Sequence, residues 1–346
     1  MSVKFVQYGV GKMSKFTVQY AIDKGYELVG AFDIDNNKIG KNISDIIDIE
    51  SNIIVQDNSA LKDFLVNNKP DIVIVTTMSL IKDVEDVLTI CAECGVNAIT
   101  ICEEAFYPQN SHPSIFNKLD KIAKKNKCVI TGTGYQDVFW GNLITTLAGA
   151  THKIDIIKGQ SSYNVEDYGI ALAKAHGVGL SMEEFDRDVA SVDNISIQER
   201  NNLIESGEFL PSYMWNVNGW LASKLGLTIT EQVQKCVPII AEEDMYCDSL
   251  NISILKGQAR GMSAVVTSKT KEGIVLETQC IGKLYTPDEY DINDWTIVGE
   301  PNTQVVISRP STVELTCATC INRIKDVLNS QAYGYITTDE FESVKY

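Results

Sequence analysis

Val3-Lys4-Phe5-Val6-Gln7-Tyr8-Gly9-Val10-Gly11-Lys12-Met13-Ser14 decides how the first part of the chain is read. A short apolar run enters a glycine turn, a helical pattern follows as far as Gly25, and Glu27-Leu28-Val29-Gly30-Ala31-Phe32-Asp33 supplies a second strand with an acid at its tip. Strand, glycine turn, helix, strand and acid come in the order of a dinucleotide-binding βαβ unit. Gly9 permits the tight turn, and Gly11 has no Cβ to hold the backbone away from a pyrophosphate. The helix that opens at Lys12 and Met13 points its unpaired N–H groups and the positive end of its dipole at the phosphates. Asp33 stands about 20 residues further on, where a carboxylate accepts hydrogen bonds from the adenosine ribose. Ser14 takes the place of the third glycine, so the order of the elements carries the reading; a glycine-rich turn in an unrelated α/β protein is the alternative. Asp33 would repel a 2′-phosphate and no arginine follows in residues 34–38, which favours NAD over NADP, with Lys38 leaving room for NADP.

The 346 residues, 44% apolar and 22% charged, suffice for two domains with a sizeable core. A net charge of −16 counts against nucleic acid and against an anionic membrane surface as partners. No charged-then-apolar leader opens the chain, and no apolar run approaches the ~18 residues of a spanning helix. Nine cysteines in such a chain read as reduced thiols of a cytoplasmic protein. The pairs Cys91/Cys94 and Cys317/Cys320 lie in helical patterns, where free cysteine packs as a small hydrophobe. A shared zinc site is the alternative, but no histidine lies near either pair, and no metal is expected.

Short apolar runs continue to alternate with amphipathic segments after Asp33. Strands are expected at Ile53-Ile54-Val55, Asp71–Val75, Ala98–Cys102 and Cys128–Thr131, with a helix capped by Ser59 and others ending at Cys94 and spanning 113–125. Repeated βα units of this size make a doubly wound parallel sheet of the Rossmann type. Beyond residue 143 helical stretches at 167–175, 181–190, 196–207 and 216–225 mix with alternating strands at 250–255, 261–267 and 274–280. Period-two alternation implies an open, largely antiparallel sheet with one wet face. The expected organisation is a dinucleotide-binding domain over 1–143, an α+β substrate and dimerisation domain over 144–300, and a segment over 301–346. Within that last segment an amphipathic helix from Thr312 to Asn329 returns to the first domain.

Ligands of an open α/β sheet bind at the carboxyl ends of its strands. Thr76, Thr77 and Ser79 offer hydroxyls there for the nicotinamide ribose, and Gly132-Thr133-Gly134 lets backbone approach the nicotinamide. Between them stand Glu103 and Glu104. Two carboxylates side by side raise one another's pKa, and a carboxyl near neutrality can exchange a proton or pair with an ammonium. They can equally be solvated loop acids. None of the three histidines (His112, His152, His176) is placed like the base of a 2-hydroxy-acid dehydrogenase, and no Ser-Tyr-x-x-x-Lys helix is present. A carboxylate acid/base handling an amine fits the inventory better.

The Gly9-x-Gly11-x-Met13 turn, Thr76-Thr77, Cys102-Glu103-Glu104-Ala105-Phe106-Tyr107-Pro108 with His112-Pro113, Gly132-Thr133-Gly134 and Gly177-Val178-Gly179-Leu180-Ser181-x-Glu183-Glu184-Phe185 together resemble one family. It is the dihydrodipicolinate-reductase-like amine dehydrogenases, the group of 2,4-diaminopentanoate dehydrogenase and the native amine dehydrogenases. The resemblance covers nearly the whole chain and implies NAD(P)-dependent deamination of an amine carbon to a ketone and ammonia, reversible as reductive amination. It further implies that Glu103 binds the amine and acts as acid/base, with Glu104 as the other candidate, and that Trp140, Ile144, Tyr163, Tyr168 and His176 contact the substrate. A homodimer is the expected assembly.

The chain departs from the family where Tyr135-Gln136-Asp137-Val138 replaces the usual x-Asn-Pro-Gly, and around Tyr213-Met214-Trp215, where relatives often carry Gly-His. A dehydrogenase of the Gfo/Idh type acting on a hydroxyl, and a non-catalytic NAD(H)-binding sensor, are the competing readings.

Overall fold

The computed structural model describes residues 2–346. The chain forms two compact units, one from 1–142 with 311–346 and the other from 143–310. In the first, β1 (Lys4–Tyr8), α1 (Lys12–Asp23), β2 (Glu27–Asp33), β3 (Val55–Asp57), α2 (Leu61–Asn68), β4 (Ile72–Val75), α3 (Ile81–Cys94), β5 (Asn97–Thr100), α4 (Pro113–Asn126) and β6 (Val129–Gly132) alternate as expected. β4 reads Ile-Val-Ile-Val and is buried throughout, as a strand with helices on both faces must be. Val73 and Val75 point into a core shared with Leu61, Leu65, Val84, Leu88 and Leu119. Ile72 and Ile74 point into the other core.

Two local expectations shift. Residues Ile53 and Ile54 precede the strand, which starts at Val55, and Asp57 rather than Ser59 caps the turn before α2, accepting from the Ser59 N–H at 2.9 Å. The Asp57 carboxylate, two residues upstream, takes both the Ser59 N–H and the Ser59 hydroxyl, so the serine is engaged as a donor.

The second unit opens with a short helix, Leu143–Ala148, and contains β7 (Lys153–Asn164), α5 (Ile197–Ser206), α6 (Tyr213–Lys224), β8 (Ile229–Ile240), β9 (Met245–Cys247), β10 (Ile252–Ile254), β11 (Ala259–Thr270), β12 (Val275–Lys283), β13 (Ile292–Glu300) and β14 (Thr303–Ser308). Six strands form a sheet in the order β14-β13-β7-β12-β11-β8, antiparallel save for the parallel pair β7–β12. The run expected as a strand at 250–255 forms only β10, which pairs apart with β9. The buried Asn218 of α6 fastens that helix to the sheet: its amide donates to Ser268 at 3.0 Å and its carbonyl accepts from Thr278 at 2.8 Å. Trp295 lies where Gly159 leaves room for its ring.

A boundary at 301 would cut the β13–β14 hairpin, whose pairing runs from Ile297–Thr303 to Ile292–Ser308. The chain returns to the first unit at Ser311 instead. There α7 (Thr312–Leu328) buries Cys320, Ile321, Ile324 and Val327 in the same core as Ile72 and Ile74, and β15 (Gly334–Tyr335) joins the sheet beside β6. The completed first sheet runs β15-β6-β5-β4-β1-β2-β3, parallel throughout.

Cys91 and Cys320 lie in the two cores of this unit, and burial pushes both thiols up. Among the described residues no helix is long and apolar enough to cross a membrane.

Gly132, at the end of β6, abuts the Ala105 carbonyl so closely that a Cβ would overlap it. Gly132→Ala is expected to lower stability by about 1–3 kcal/mol, the usual cost of overpacking, read as a lower midpoint of the first unit's urea transition.

Candidate active site

The glycine turn is held from both sides. Gly9 has φ +87°, and a side chain there would collide with the Thr77 methyl. Its carbonyl accepts from the Gln7 side-chain amide and the Thr76 hydroxyl, each at 2.9 Å, while Thr17 donates to Gln7 Oε1 at 2.9 Å. The Thr76 hydroxyl, expected on a ribose, is therefore turned inward onto the turn. Ser14 is fully buried and donates to the Gly11 carbonyl at 2.7 Å, which explains how a serine replaces the third glycine.

A Cβ at Gly11 would meet nothing within 4 Å. Open space in front of a 12-residue helix whose first turn carries no acid suits a pyrophosphate. Lys12 is exposed there, whereas the Met13 side chain packs toward the core and its carbonyl receives the Cys317 thiol at 3.5 Å.

Asp33 is buried at the tip of β2. Its Oδ2 accepts from the Val10 N–H at 2.7 Å and from Lys38 Nζ at 3.1 Å, and its Oδ1 from the Asp35 N–H at 2.9 Å. Burial works to raise this carboxyl, but the two backbone donors and Lys38 outweigh it and hold the group below the usual carboxylate range.

Structure separates the two glutamates that sequence left equivalent. Glu104 is 3% exposed, and its carboxyl group is surrounded by donors: the Ile81 N–H at 2.8 Å, the Ser111 hydroxyl at 2.6 Å and His112 Nδ1 at 2.6 Å. Ile81 is the first residue of α3, whose N-cap residue offers no side-chain acceptor, and Ser111 and His112 immediately precede α4. One carboxyl group thus satisfies a helix end and joins two helix starts. The Glu104 N–H donates to the Ser79 carbonyl at 3.1 Å, completing the stitch.

Glu103, beside it, is only partly buried and accepts a hydrogen bond from the Ser79 side chain. Desolvation raises its pKa above the ordinary carboxylate value, and the Ser79 bond partly opposes the rise. This loop is clamped from behind by Tyr335, whose hydroxyl donates to the Ala105 carbonyl at 2.6 Å. Ser79, His112 and Tyr335 were not assigned these roles from sequence, and no local pattern marks Tyr335 out from its neighbours.

The next strand tip carries Gly132, Thr133 and Gly134, the last at φ +145°. It leads into a π-helical turn, Asp137–Asn142, that bears Trp140. Such turns recur at functional sites. Trp140 meets Tyr135 edge-on at 5.7 Å, and Tyr135 stacks on Phe139 at 4.4 Å. All the residues expected at the dinucleotide, both glutamates and Trp140 belong to the first unit.

In the second unit Tyr163, Tyr168 and His176 come together. His176 Nδ1 donates to the Leu172 carbonyl at 2.8 Å, which leaves Nε2 to accept from the Tyr163 hydroxyl at 2.7 Å. Burial lowers the His176 pKa, so the ring is neutral near pH 7, and burial pushes the Tyr163 phenol far up. Gly282 makes room for the pair, since a Cβ there would strike both rings. Tyr168 packs edge-on against Tyr163 at 5.6 Å and is 55% exposed, whereas Ile144 has no exposed surface. Tyr213, absent from the sequence reading of the site, lies near enough to Tyr163 to act on it electrostatically.

Residues 139–341 match the family profile described as the 2,4-diaminopentanoate dehydrogenase C-terminal domain. The chain is 23% identical over 344 residues to 2,4-diaminopentanoate dehydrogenase of Acetoanaerobium sticklandii, covering 95% of this chain and 90% of that protein. A solved amine dehydrogenase from Mycobacterium smegmatis superposes with a TM-score of 0.83 at 34% identity, covering 100% of this chain and 98% of the other. A scyllo-inositol dehydrogenase from Lactobacillus casei, 12% identical with a TM-score of 0.59 and covering 98% of this chain and 91% of its own, shares the fold.

Glu104→Ala would strand three donors in a buried place and is expected to destabilise the first unit by about 3 kcal/mol or more. Glu103→Ala, at a partly exposed position, is expected to cost under about 1 kcal/mol. Urea midpoints of the two variants, compared directly, check the difference.

Proposed function

Because the chain belongs to the 2,4-diaminopentanoate dehydrogenase family of amine dehydrogenases, we propose that it oxidises a small aliphatic amine or a diamino acid like 2,4-diaminopentanoate to a ketone and ammonia, reversibly. It is an oxidoreductase that acts on a CH–NH2 group with a nicotinamide cofactor. The observation that carries the choice of acid/base is the contrast between a Glu104 enclosed by protein donors and a Glu103 that is partly exposed and raised in pKa.

Gly9, Gly11 and the first N–H groups of α1 would hold the pyrophosphate, and Asp33 the adenosine ribose. When bound, the nicotinamide supplies the hydride acceptor. Glu103 accepts a proton from the substrate ammonium, which frees the nitrogen lone pair to assist loss of hydride from the amine carbon. Once that proton has passed to solvent, the ionised Glu103 takes a proton from the water that adds to the resulting iminium carbon, returns it to the nitrogen, and accepts the hydroxyl proton as ammonia leaves and the ketone forms. Trp140, Tyr163, Tyr168 and His176 are proposed to contact the substrate's carbon skeleton and polar groups, whereas Ile144, with no exposed surface, is not.

NAD is the preferred cofactor on this reading, because Asp33 is held ionised and would oppose a 2′-phosphate, while Lys38, 3.1 Å away, lets NADP bind more weakly. The exposed Val237 and Ile240 of the edge strand β8 support a homodimer through the second unit.

NADH formation with a panel of sec-alkyl amines, 2,4-diaminopentanoate, amino acids and polyols tests the function. Turnover of an amine is expected, and Glu103→Gln is expected to reduce it by about 100-fold or more with NADH binding retained. Turnover confined to polyols would overturn the reading. The ionised Glu103 is the working form, so kcat/KM for deamination should rise with pH through its raised pKa. Ser79→Ala removes a hydrogen bond that favours ionisation, and the acid limb should move to higher pH. An unmoved limb would detach Glu103 from the profile.

A further inference from the structure

We infer that Arg323 is a positioning residue for the substrate-contacting turn of this enzyme, acting through Asp137; the inference rests on the functional reading above. Asp137 stands where the family's Asn-Pro-Gly pattern is lost, and its side chain is wholly buried. Arg323 Nε reaches its Oδ2 at 2.7 Å, and Nη2 its Oδ1 at 2.9 Å. The Thr133 hydroxyl donates to Oδ2 at 2.9 Å, and the Asn142 amide to Oδ1 at 2.8 Å. Four donors on two oxygens fill a carboxylate's capacity. They also bracket the π turn, since Thr133 lies before it and Asn142 ends it.

Arg323 is itself anchored on α7. Its Nη1 donates to Asp326 at 2.8 Å and to the Glu342 carbonyl at 2.5 Å, and Phe341 covers the guanidinium at 5.6 Å. A second tie from the same helix is the Thr316 hydroxyl, which accepts from the Tyr135 N–H at 3.3 Å. A π turn is an uncommon geometry that needs such fixing. The ties fall at Tyr135 and Asp137, and the Tyr135 ring packs against those of Phe139 and Trp140 in the turn that follows. The helix that returns from the second unit therefore fixes where Trp140 stands, and with it the size of amine the enzyme accepts.

A merely structural ion pair behaves differently. Replacing both buried partners by apolar residues of similar volume is often neutral for stability, so a pair with no part in positioning would leave the kinetics untouched. The test compares the full-length wild type with Asp137→Leu/Arg323→Met. Three readouts serve: near-UV circular dichroism of the aromatic cluster, NADH binding, and kcat and KM over sec-alkyl amines of increasing chain length.

The double variant should keep a cooperative melt and bind NADH within about twofold of wild type. It should show an altered near-UV dichroism and a rise of about tenfold or more in KM for the preferred amine, with a flattened dependence on chain length. A folded double variant with the wild-type aromatic spectrum and size profile overturns the inference. Should the double variant fail to fold, Arg323→Lys decides: it keeps the charge and loses the two-point grip, and an unchanged spectrum and size profile would again overturn it. A wild type that turns over no amine defeats the functional reading, while the aromatic spectrum still decides whether Arg323 holds the turn.

Discussion

A carboxyl group almost completely removed from water must be surrounded by donors, and the candidate site is built around how Glu104 meets that demand. It draws on the first N–H of α3 and on two side chains at the start of α4. The loop after β5 is thereby tied to the loop after β4 and cannot move independently of either helix. Glu103 inherits its place from this arrangement: its neighbour is fixed, its backbone follows, and Ser79 of the loop after β4 favours its ionised form. A rigid neighbour is what a proton-handling group requires, since catalysis by a positioned acid or base fails when the group wanders by an ångström. The same constraint engages the Glu104 carboxyl inside the protein, which is why the proposed proton transfer is given to Glu103.

What the sequence revealed and what it hid follow from the range of the interactions concerned. Gly9, Gly11 and Asp33 could be read because a βαβ unit brings them together within a few tens of residues, and the structure adds the Asp33 to Val10 hydrogen bond as the reason the acid and the turn belong together. Period alone found most of the parallel sheet and the helix that becomes α7. It did not delineate β8 and β13, whose apolar runs are interrupted by charges, and it could not reveal that β7 runs parallel to β12 across more than a hundred intervening residues. Glu103 and Glu104 have the same chemistry and adjacent positions. Their difference lies in what surrounds them: Ser79 comes from the loop after β4, and Ser111 and His112 from seven and eight residues further along their own loop. Asp137 and Arg323 are 186 positions apart, and no local pattern joins them.

The return of the chain to its first unit has a chemical consequence beyond completing a sheet. β15 extends the sheet by a strand, and from it Tyr335 reaches the carbonyl of Ala105. α7 supplies Arg323 and Thr316 to the turn after β6. The two strand tips that carry the proposed acid/base and the proposed aromatic contact are thus both backed by the last thirty-odd residues. Both contacts join residues far apart in the chain, 230 and 186 positions respectively.

A buried ion pair such as Asp137–Arg323 adds little to stability by itself, because removing two charges from water costs about as much as their attraction returns. An apolar pair of the same volume would fill the space as well. It would not dictate an angle. The planar guanidinium meets the carboxylate at two points, and the remaining lone pairs reach Thr133 and Asn142, so a single rotation of the turn satisfies all four donors. An aromatic surface that contacts a small substrate gains selectivity from holding one orientation, since a methylene more or less in an apolar pocket distinguishes substrates by only about 1–3 kcal/mol. A wall free to rotate by a few degrees would lose much of that margin. The geometry of the pair, more than its energy, accounts for placing two charges in the core at this point.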